Sequence, residues 1–312
     1  MNMAKYVLIV PLIGISFMSM AKETVDQQLT VTDNPSVSVK IQRGNVELVS
    51  WDKNSIQIKG ELDELSQGLL FEVNGNSVIV EDKLPRSYQG SNQQGSQLTI
   101  YLPKQLGLDA EGVSASYQLA QLDGQISLAV VSGSITAKQL SGNTKLTTVS
   151  GNINTSELAG KINLETVSGD ITDNNSQGEA ELRLVSGELK SQSAFTQLTV
   201  DQVSGDISVT VNQVTELNVV TISGDAKLTL GGELNKAQLE TISGDMALTF
   251  TAMPNSSFMI DGGPGGKINN QLTDDKPLKQ KYSPSKTLQF KTLAGAGQVN
   301  INTISGKISL TQ

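Results

Sequence analysis

Carboxylates, hydroxyls and lysines must carry any chemistry in this sequence, because it contains no His and no Cys. That composition removes Ser-His-Asp and Cys-His nucleophiles, imidazole or thiolate zinc sites, His-ligated haem and disulfides. Some of the acids form a pattern: Asp170, Glu188, Asp206, Asp225 and Asp245, preceded in the series by the amide Asn152, each follow a Ser-Gly pair. Stacked about 4.8 Å apart, such acids would repel by about 0.9 kcal/mol per neighbouring pair even at the dielectric of water. Calcium, which gathers several oxygens, would take Asp170, Glu188, Asp206, Asp225 and Asp245 as its column of ligands. The competing reading has each side chain close its own turn by bonding nearby backbone. Ser134 and Lys307 occupy the same place in flanking units, which favours the turn. No metal, cofactor or catalytic residue is expected.

Other candidate motifs are weaker. Ser132, Ser150, Ser168, Ser186, Ser204, Ser223, Ser243 and Ser305 form a hydroxyl series that suits bonding along a stack. Thr148, Thr166, Thr221, Thr241 and Thr303 form a partial series broken by Leu184 and Gln202, so no flat Thr-x-Thr ice-binding face results. Ser283-Pro284-Ser285-Lys286 has the S-x-x-K spacing of penicillin-recognising enzymes but no SDN or KTG companion. Gly266-Lys267 fails as a phosphate loop because Ile268 follows it and Asp261 stands at the first Gly position. Trp51, the single Trp, is assigned to the turn after the second strand, closing the apolar end of a stack rather than binding a sugar.

What positions all of these is a repeat. Gly recurs every nine residues from Gly124 to Gly187, and a stronger motif falls on every second one, as VSGSI, VSGNI, VSGDI and ISGDM. Its turn glycines are Gly133, Gly151, Gly169, Gly187, Gly205, Gly224, Gly244 and Gly306, with a unit of 18 residues that lengthens to 19, 20 and finally 62. The pattern is apolar, any, Gly, any, apolar, any, apolar, as in Val203-Ser204-Gly205-Asp206-Ile207-Ser208-Val209, and after the Gly it alternates with period two, the mark of a strand with one buried face. Each half of nine residues is expected to hold a strand of five or six and a short bend. The predicted fold is all-β, a parallel β-solenoid (β-helix) of 18-residue coils, with right-handed crossovers as the default.

The ends follow from the same pattern. Residues 1–21 carry Lys5, an apolar run and Ser19-Met20-Ala21, which predicts a signal peptide cut after Ala21. Residues 22–312 then form one domain: irregular N-terminal strands and cap over 22–114, reaching back to about Leu29, regular coils over 115–250, and a loop excursion with a final coil over 251–312. Glu81 to Ser96 is expected to be a mobile loop. The excursion is expected to run from Gly262 to Lys286, before Gln298 to Leu310 returns to the repeat. Exposed end strands invite pairing, so capped ends or end-to-end self-association are expected. Twenty-three Lys and Arg against 31 Asp and Glu argue against nucleic acid or anionic lipid as a partner. No span remains after cleavage.

Val46-Glu47-Leu48-Val49-Ser50-Trp51-Asp52-Lys53, the TVSGD/TISGD ladder and the closing Gly295-Ala296-Gly297 before Asn302 to Ile308 together resemble the DUF4097-type putative adhesin family, bacterial exported β-strand repeat proteins. The resemblance covers roughly residues 29–312. It implies an exported β-solenoid of the cell envelope, periplasmic or on the surface, with adhesion as the conventional function and no catalytic residues to carry over. The leading expectation is a non-enzymatic scaffold that binds an envelope or surface component through its strand faces. A polysaccharide-active β-helix enzyme would instead need a carboxylate pair or basic groove at residues 81–96 or 262–286. An envelope-stress protein acting through a partner is the third alternative.

Overall fold

The computed structural model describes residues 23–86, 94–279, 282 and 284–312. The predicted signal peptide lies outside the described residues. So does the middle of the predicted mobile loop, residues 87–93.

The chain is a parallel β-solenoid, and residues 141–158 illustrate one coil. Ser141–Ser150 runs along one sheet, Gly151 and Asn152 turn the corner, Ile153–Ser156 crosses on the second sheet, and Glu157 and Leu158 turn back. Each residue pairs in parallel with the residue 18 further on, Ser141 with Ala159, Leu146 with Leu164 and Ile153 with Ile171. Alternation therefore sends columns of like residues inward. Leu128, Leu146, Leu164 and Leu182 form one buried column, and Ile135, Ile153, Ile171 and Leu189 face them from the other sheet. No coil could bury this surface alone, since each is covered by the coils above and below.

The two halves of the unit are not equivalent. The long strands have ten residues and the short ones four, whereas the nine-residue spacing predicts equal strands. The intermediate glycines Gly142 and Gly160 sit inside the long strand, and the second bend falls just before them. There Gln121, Gln139, Glu157 and Asn175 adopt left-handed φ of 54° to 60° without being Gly. A side-chain ladder accompanies them: Gln121 Nε2 donates to Gln139 Oε1 at 3.2 Å, and Gln139 Nε2 to Glu157 Oε2 at 2.8 Å. Left-handed backbone is unfavourable for non-Gly residues, and each of these bonds offsets part of that penalty.

At mid-height Ile171–Ser186 and Leu189–Ser204 each run unbroken through the second bend. Asp173 is fully buried there. It accepts hydrogen bonds from Thr155 Oγ1, Ser176 Oγ and Ser193 Oγ, each at 2.6 Å. A buried carboxylate without such donors would be strongly unfavourable.

Both ends are closed by the same manoeuvre. The last coil in sequence is not the last in space: Gly297–Ser305 lies between Lys236–Ser243 and Ser256–Asp261. The chain skips one coil position, builds the end, and returns to fill the gap, which accounts for the step of 62. Part of the predicted excursion is therefore ordered sheet, with Lys267–Asn270 parallel to Lys307–Thr311 and Lys286–Lys291 antiparallel to Ser256–Asp261. Phe258 stacks on Phe290 at 4.5 Å and meets the edge of Phe250 at 6.0 Å, sealing the core.

At the other end Arg43–Trp51 is enclosed by Ser96–Pro103 and Ser114–Ala120, while Ser55–Glu61 and Thr24–Thr30 close the sheet antiparallel. Strand structure thus begins at Thr24, earlier than the sequence pattern indicates. Glu81 and Asp82 end one strand and Ser96 begins another, so the loop expected over residues 81–96 is shorter at both ends. Tyr117 is buried beneath this cap, its hydroxyl 2.8 Å from the Glu111 carbonyl oxygen and 3.2 Å from that of Ile41. Burial pushes its phenol pKa upward.

The corner glycines show why the coils can approach. At Gly224, φ is +121° and an added Cβ would lie 2.0 Å from the Gly205 carbonyl oxygen. Gly224→Ala is expected to destabilise the fold by about 2–4 kcal/mol in urea denaturation. Gly107→Ala, where a Cβ meets nothing within 4 Å, is expected to change stability by less than about 0.5 kcal/mol. Equal effects would refute the close-approach explanation.

Candidate functional site

The corner that carries the Ser-Gly motif presents three parallel columns to solvent. In the long strand, Leu146 and Thr148 point inward by alternation; Val149 comes next in the outward phase, and Ser150, which alternation would turn inward, is exposed beside it. The result is an exposed apolar ladder of Val113, Val131, Val149, Val167, Val185, Val203, Ile222, Ile242 and Ile304. These side chains are 43% to 54% exposed. Eight coil-to-coil steps of about 4.8 Å make a stripe about 38 Å long.

The apolar-x-Gly-x-apolar pattern of the sequence assigns Val203 no face, and the structure turns it outward, beyond the buried Leu198, Val200 and Gln202. The available signal was two consecutive strand residues, Thr148 and Val149, each repeating every 18 positions. Strict alternation buries one of them, and the hydroxyl column won the interior. Thr148 Oγ1 donates to the Gly133 carbonyl at 3.2 Å and Thr166 Oγ1 to that of Gly151 at 3.3 Å. Gln202, one of the residues that breaks the Thr series, reaches the Gly187 carbonyl from the same inward position at 3.0 Å. The Thr column is buried, which removes any exposed ice-binding face built from it.

Round the corner, three residues beyond each Val, stands the acid column. Asn152 Oδ1 accepts the Asp170 backbone N–H at 2.9 Å, and Asp170 Oδ1 that of Glu188 at 2.8 Å. Asp206 accepts from Asp225 at 3.0 Å, Asp225 from Asp245 at 2.8 Å, and Asp245 from Lys307 at 2.8 Å. Each such carboxylate is bonded to the next coil instead of to its own turn. Glu188 departs from the series, its Oε2 lying 2.7 Å from Lys190 Nζ. Among the described residues no group of three or more acids is arranged to hold a metal ion.

On the strand side, Thr147, Glu165, Arg183 and Asp201 border the ladder and form a shallow groove of about 480 Å³ with Val149, Val167, Val185, Val203 and Ile222. Arg183 lies 3.1 Å from Glu165 and 3.5 Å from Asp201, and it is also paired with Glu181. Hydrogen bonding to Glu165, then the charges nearby, holds its guanidinium more firmly protonated than usual. The arrangement offers apolar contact and negative charge.

The remaining sequence candidates are placed elsewhere. Trp51 ends the strand Arg43–Trp51 instead of lying in a turn, stacks on Tyr101 at 5.4 Å, and donates Nε1–H to the Ser55 carbonyl at 2.7 Å. Lys53 Nζ is 4.6 Å from its ring centre. The backbone N–H of Lys267 is taken by the Gly306 carbonyl at 2.8 Å, so it does not point into a phosphate cradle. Ser283 lies outside the described residues, and Lys286 starts a strand. Asp82, within the segment where an enzyme would need a carboxylate, is buried and accepts hydrogen bonds from Ser66 and Ser96.

Asp225→Ala, which removes the acceptor for the Asp245 N–H, is expected to lower the melting temperature by about 1–3 °C. Asp225→Asn keeps an acceptor oxygen and is expected to leave it within about 1 °C. Calorimetry with and without added calcium separates this role from metal ligation, which would show as a calcium-dependent rise abolished by either variant.

Several solved structures are similar to the chain at low identity. A "putative adhesin" from Bacteroides fragilis NCTC 9343 is similar at 13% identity, covering 94% of this chain and 98% of its own, with a TM-score of 0.40. One from Parabacteroides merdae ATCC 43184 is 12% identical, with 74% and 93% covered and a TM-score of 0.39. A "putative lipid binding protein" from Parabacteroides distasonis ATCC 8503 is 17% identical, with 74% and 94% covered and a TM-score of 0.36. No curated protein matches the chain. The Toastrack DUF4097 family profile matches residues 27–311, and the protein therefore belongs to the Toastrack DUF4097 family.

Proposed function

We propose that this protein is a non-enzymatic binding scaffold of the cell envelope, exported by the segment 1–21 and docking a partner along the Val/Ile corner ladder. The observation that carries the reading is the ladder itself. Nine β-branched side chains, each about half exposed, recur once per coil in unbroken register. Single exposed apolar residues are ordinary on a protein surface, but a contiguous apolar strip of several hundred Å² marks an interaction site. A rigid stack fixes the spacing of the contacts in advance, so binding orders little of the scaffold.

The same reading accounts for what surrounds the ladder. Carboxylates at the corner are held by backbone N–H groups, and Asp82 and Asp173 are buried among hydroxyl donors. These groups are engaged in holding coils together, in keeping with a scaffold rather than an acid–base pair. Adhesion is one form that such docking could take, in line with the names of the similar adhesins.

A photo-cross-linking residue placed at Val185, in cells producing the full-length protein, is expected to yield discrete adducts, whereas one at the exposed strand-face residue Lys227 is not. Equal adduct formation at both positions, or reducing ends released from a polysaccharide panel by the pure protein, would overturn the proposal.

A further inference from the structure

We infer that the occupant of the corner ladder is a cationic amphipathic α-helix of a partner chain, laid lengthwise along the solenoid with its apolar row on the valines. This rests on the docking role proposed above and deepens it by naming the partner's chemistry. Three features of the surface select that occupant.

The first is hydrogen bonding. Backbone groups at the corner already bond between coils, Ser132 N–H to the Val113 carbonyl at 2.7 Å, Gly151 N–H to that of Ser168 at 3.1 Å and Ile153 N–H to that of Asp170 at 2.9 Å. An added β-strand would find no free edge along the stripe, so the partner must satisfy its own backbone, as a helix does.

The second is spacing. Rungs recur about every 4.8 Å, a helix repeats an apolar face about every 5.4 Å, and an extended strand about every 6.7 Å. After three rungs a helix has drifted by about 2 Å, within what side chains absorb, and a strand by about 6 Å, more than a whole rung. A helix of about 25 residues has the length of the full stripe of about 38 Å, over which its drift reaches about one rung, so the register of side chains holds over about three or four rungs at a time.

The third is charge. One border is the acid column, in which Glu188 pairs with Lys190 and Lys307 takes the last rung; the other carries Glu165, Asp201 and Glu240, with Lys145 and Arg183 paired to carboxylates, so that carboxylates are left in excess along both. Lys and Arg flanking the helix's apolar row meet these borders. A second copy of this chain would bring the same negative borders against them, and an anionic lipid surface would be repelled likewise.

Fluorescence anisotropy of a labelled peptide of about 25 residues tests this, using a Leu row at i, i+3, i+4 and i+7 with Lys on both flanks. Its counterpart carries Glu in place of Lys, and a scrambled Lys peptide lacks the apolar row. The Lys-flanked helix is expected to bind at least about tenfold more tightly than either control, and more weakly as salt rises from about 50 mM to about 500 mM. The exposed triple variant Val167→Ser, Val185→Ser, Val203→Ser should lower its affinity by about tenfold or more while leaving the melting temperature unchanged. Asp206→Asn, Asp225→Asn, Asp245→Asn, which keeps the acceptor oxygens, should lower it by about threefold or more at low salt.

Equal binding of the Lys and Glu helices, equal binding of the scrambled peptide, or affinity untouched by the valine triple would overturn the helix assignment. So would ladder-dependent self-association in sedimentation, or ladder-dependent adsorption to phosphatidylcholine vesicles. Those last two results would leave the docking role standing with a different occupant. Loss of the docking role itself would be seen separately, as a failure of the Val185 cross-link.

Discussion

Every structural feature here depends on one contact, the backbone hydrogen bond from one coil to the next, as from Ile153 N–H to the Asp170 carbonyl. That bond fixes the rise at about 4.8 Å, and everything at the corner must fit inside it. Gly is the only residue that fits where the Gly205 carbonyl oxygen would be 2.0 Å from a Cβ on Gly224. Once the corner is that tight, like residues stand over one another, and any property of one coil becomes a line along the molecule. A leucine becomes a core column, an aspartate a ladder of carboxylates, an exposed valine a stripe.

The acid column shows how the constraint turns a liability into part of the scaffold. Like charges at this separation repel, yet each bonded carboxylate accepts an N–H that the corner would otherwise leave short of a partner. Asp225 therefore accepts from Asp245, and Asp245 from Lys307. The charge that remains faces solvent beside the valines. An apolar stripe between negative borders is thus a by-product of how the corner is closed, available for recognition without any separate loop or cavity.

Sequence reading reached the coil, the 18-residue register and the corner glycines because those depend on local pattern and repetition. It did not reach what depends on competition between neighbours. Val149 and Thr148 are adjacent, both recur, and only one can enter the core; the polar residue did, its hydroxyl bonded to a corner carbonyl at Thr148 and Thr166 and buried without such a bond at Thr221 and Thr241. Periodicity also hid the end closures. Gln298 to Leu310 reads as a final coil, yet it fills a gap left when the chain skipped ahead to Ser256–Asp261, a step visible only through long-range pairing. The second bend was obscured by Gly142 and Gly160, which mark the strand just after it while Gln139 and Glu157 make the turn.

Distances along the stripe test the stacking most directly. The sequence contains no Cys, so nitroxides can be attached at chosen cysteines alone, on the exposed ladder where they disturb no packing. Electron double resonance on the pair Val131→Cys and Val203→Cys, four coils apart, should give about 19 Å, and on Val131→Cys and Ile242→Cys, six coils apart, about 29 Å. Distances that grow in proportion to the number of coils are the predicted result. Distances that fail to grow, or that scatter without regard to coil count, would contradict a stack in which each coil lies directly on the last.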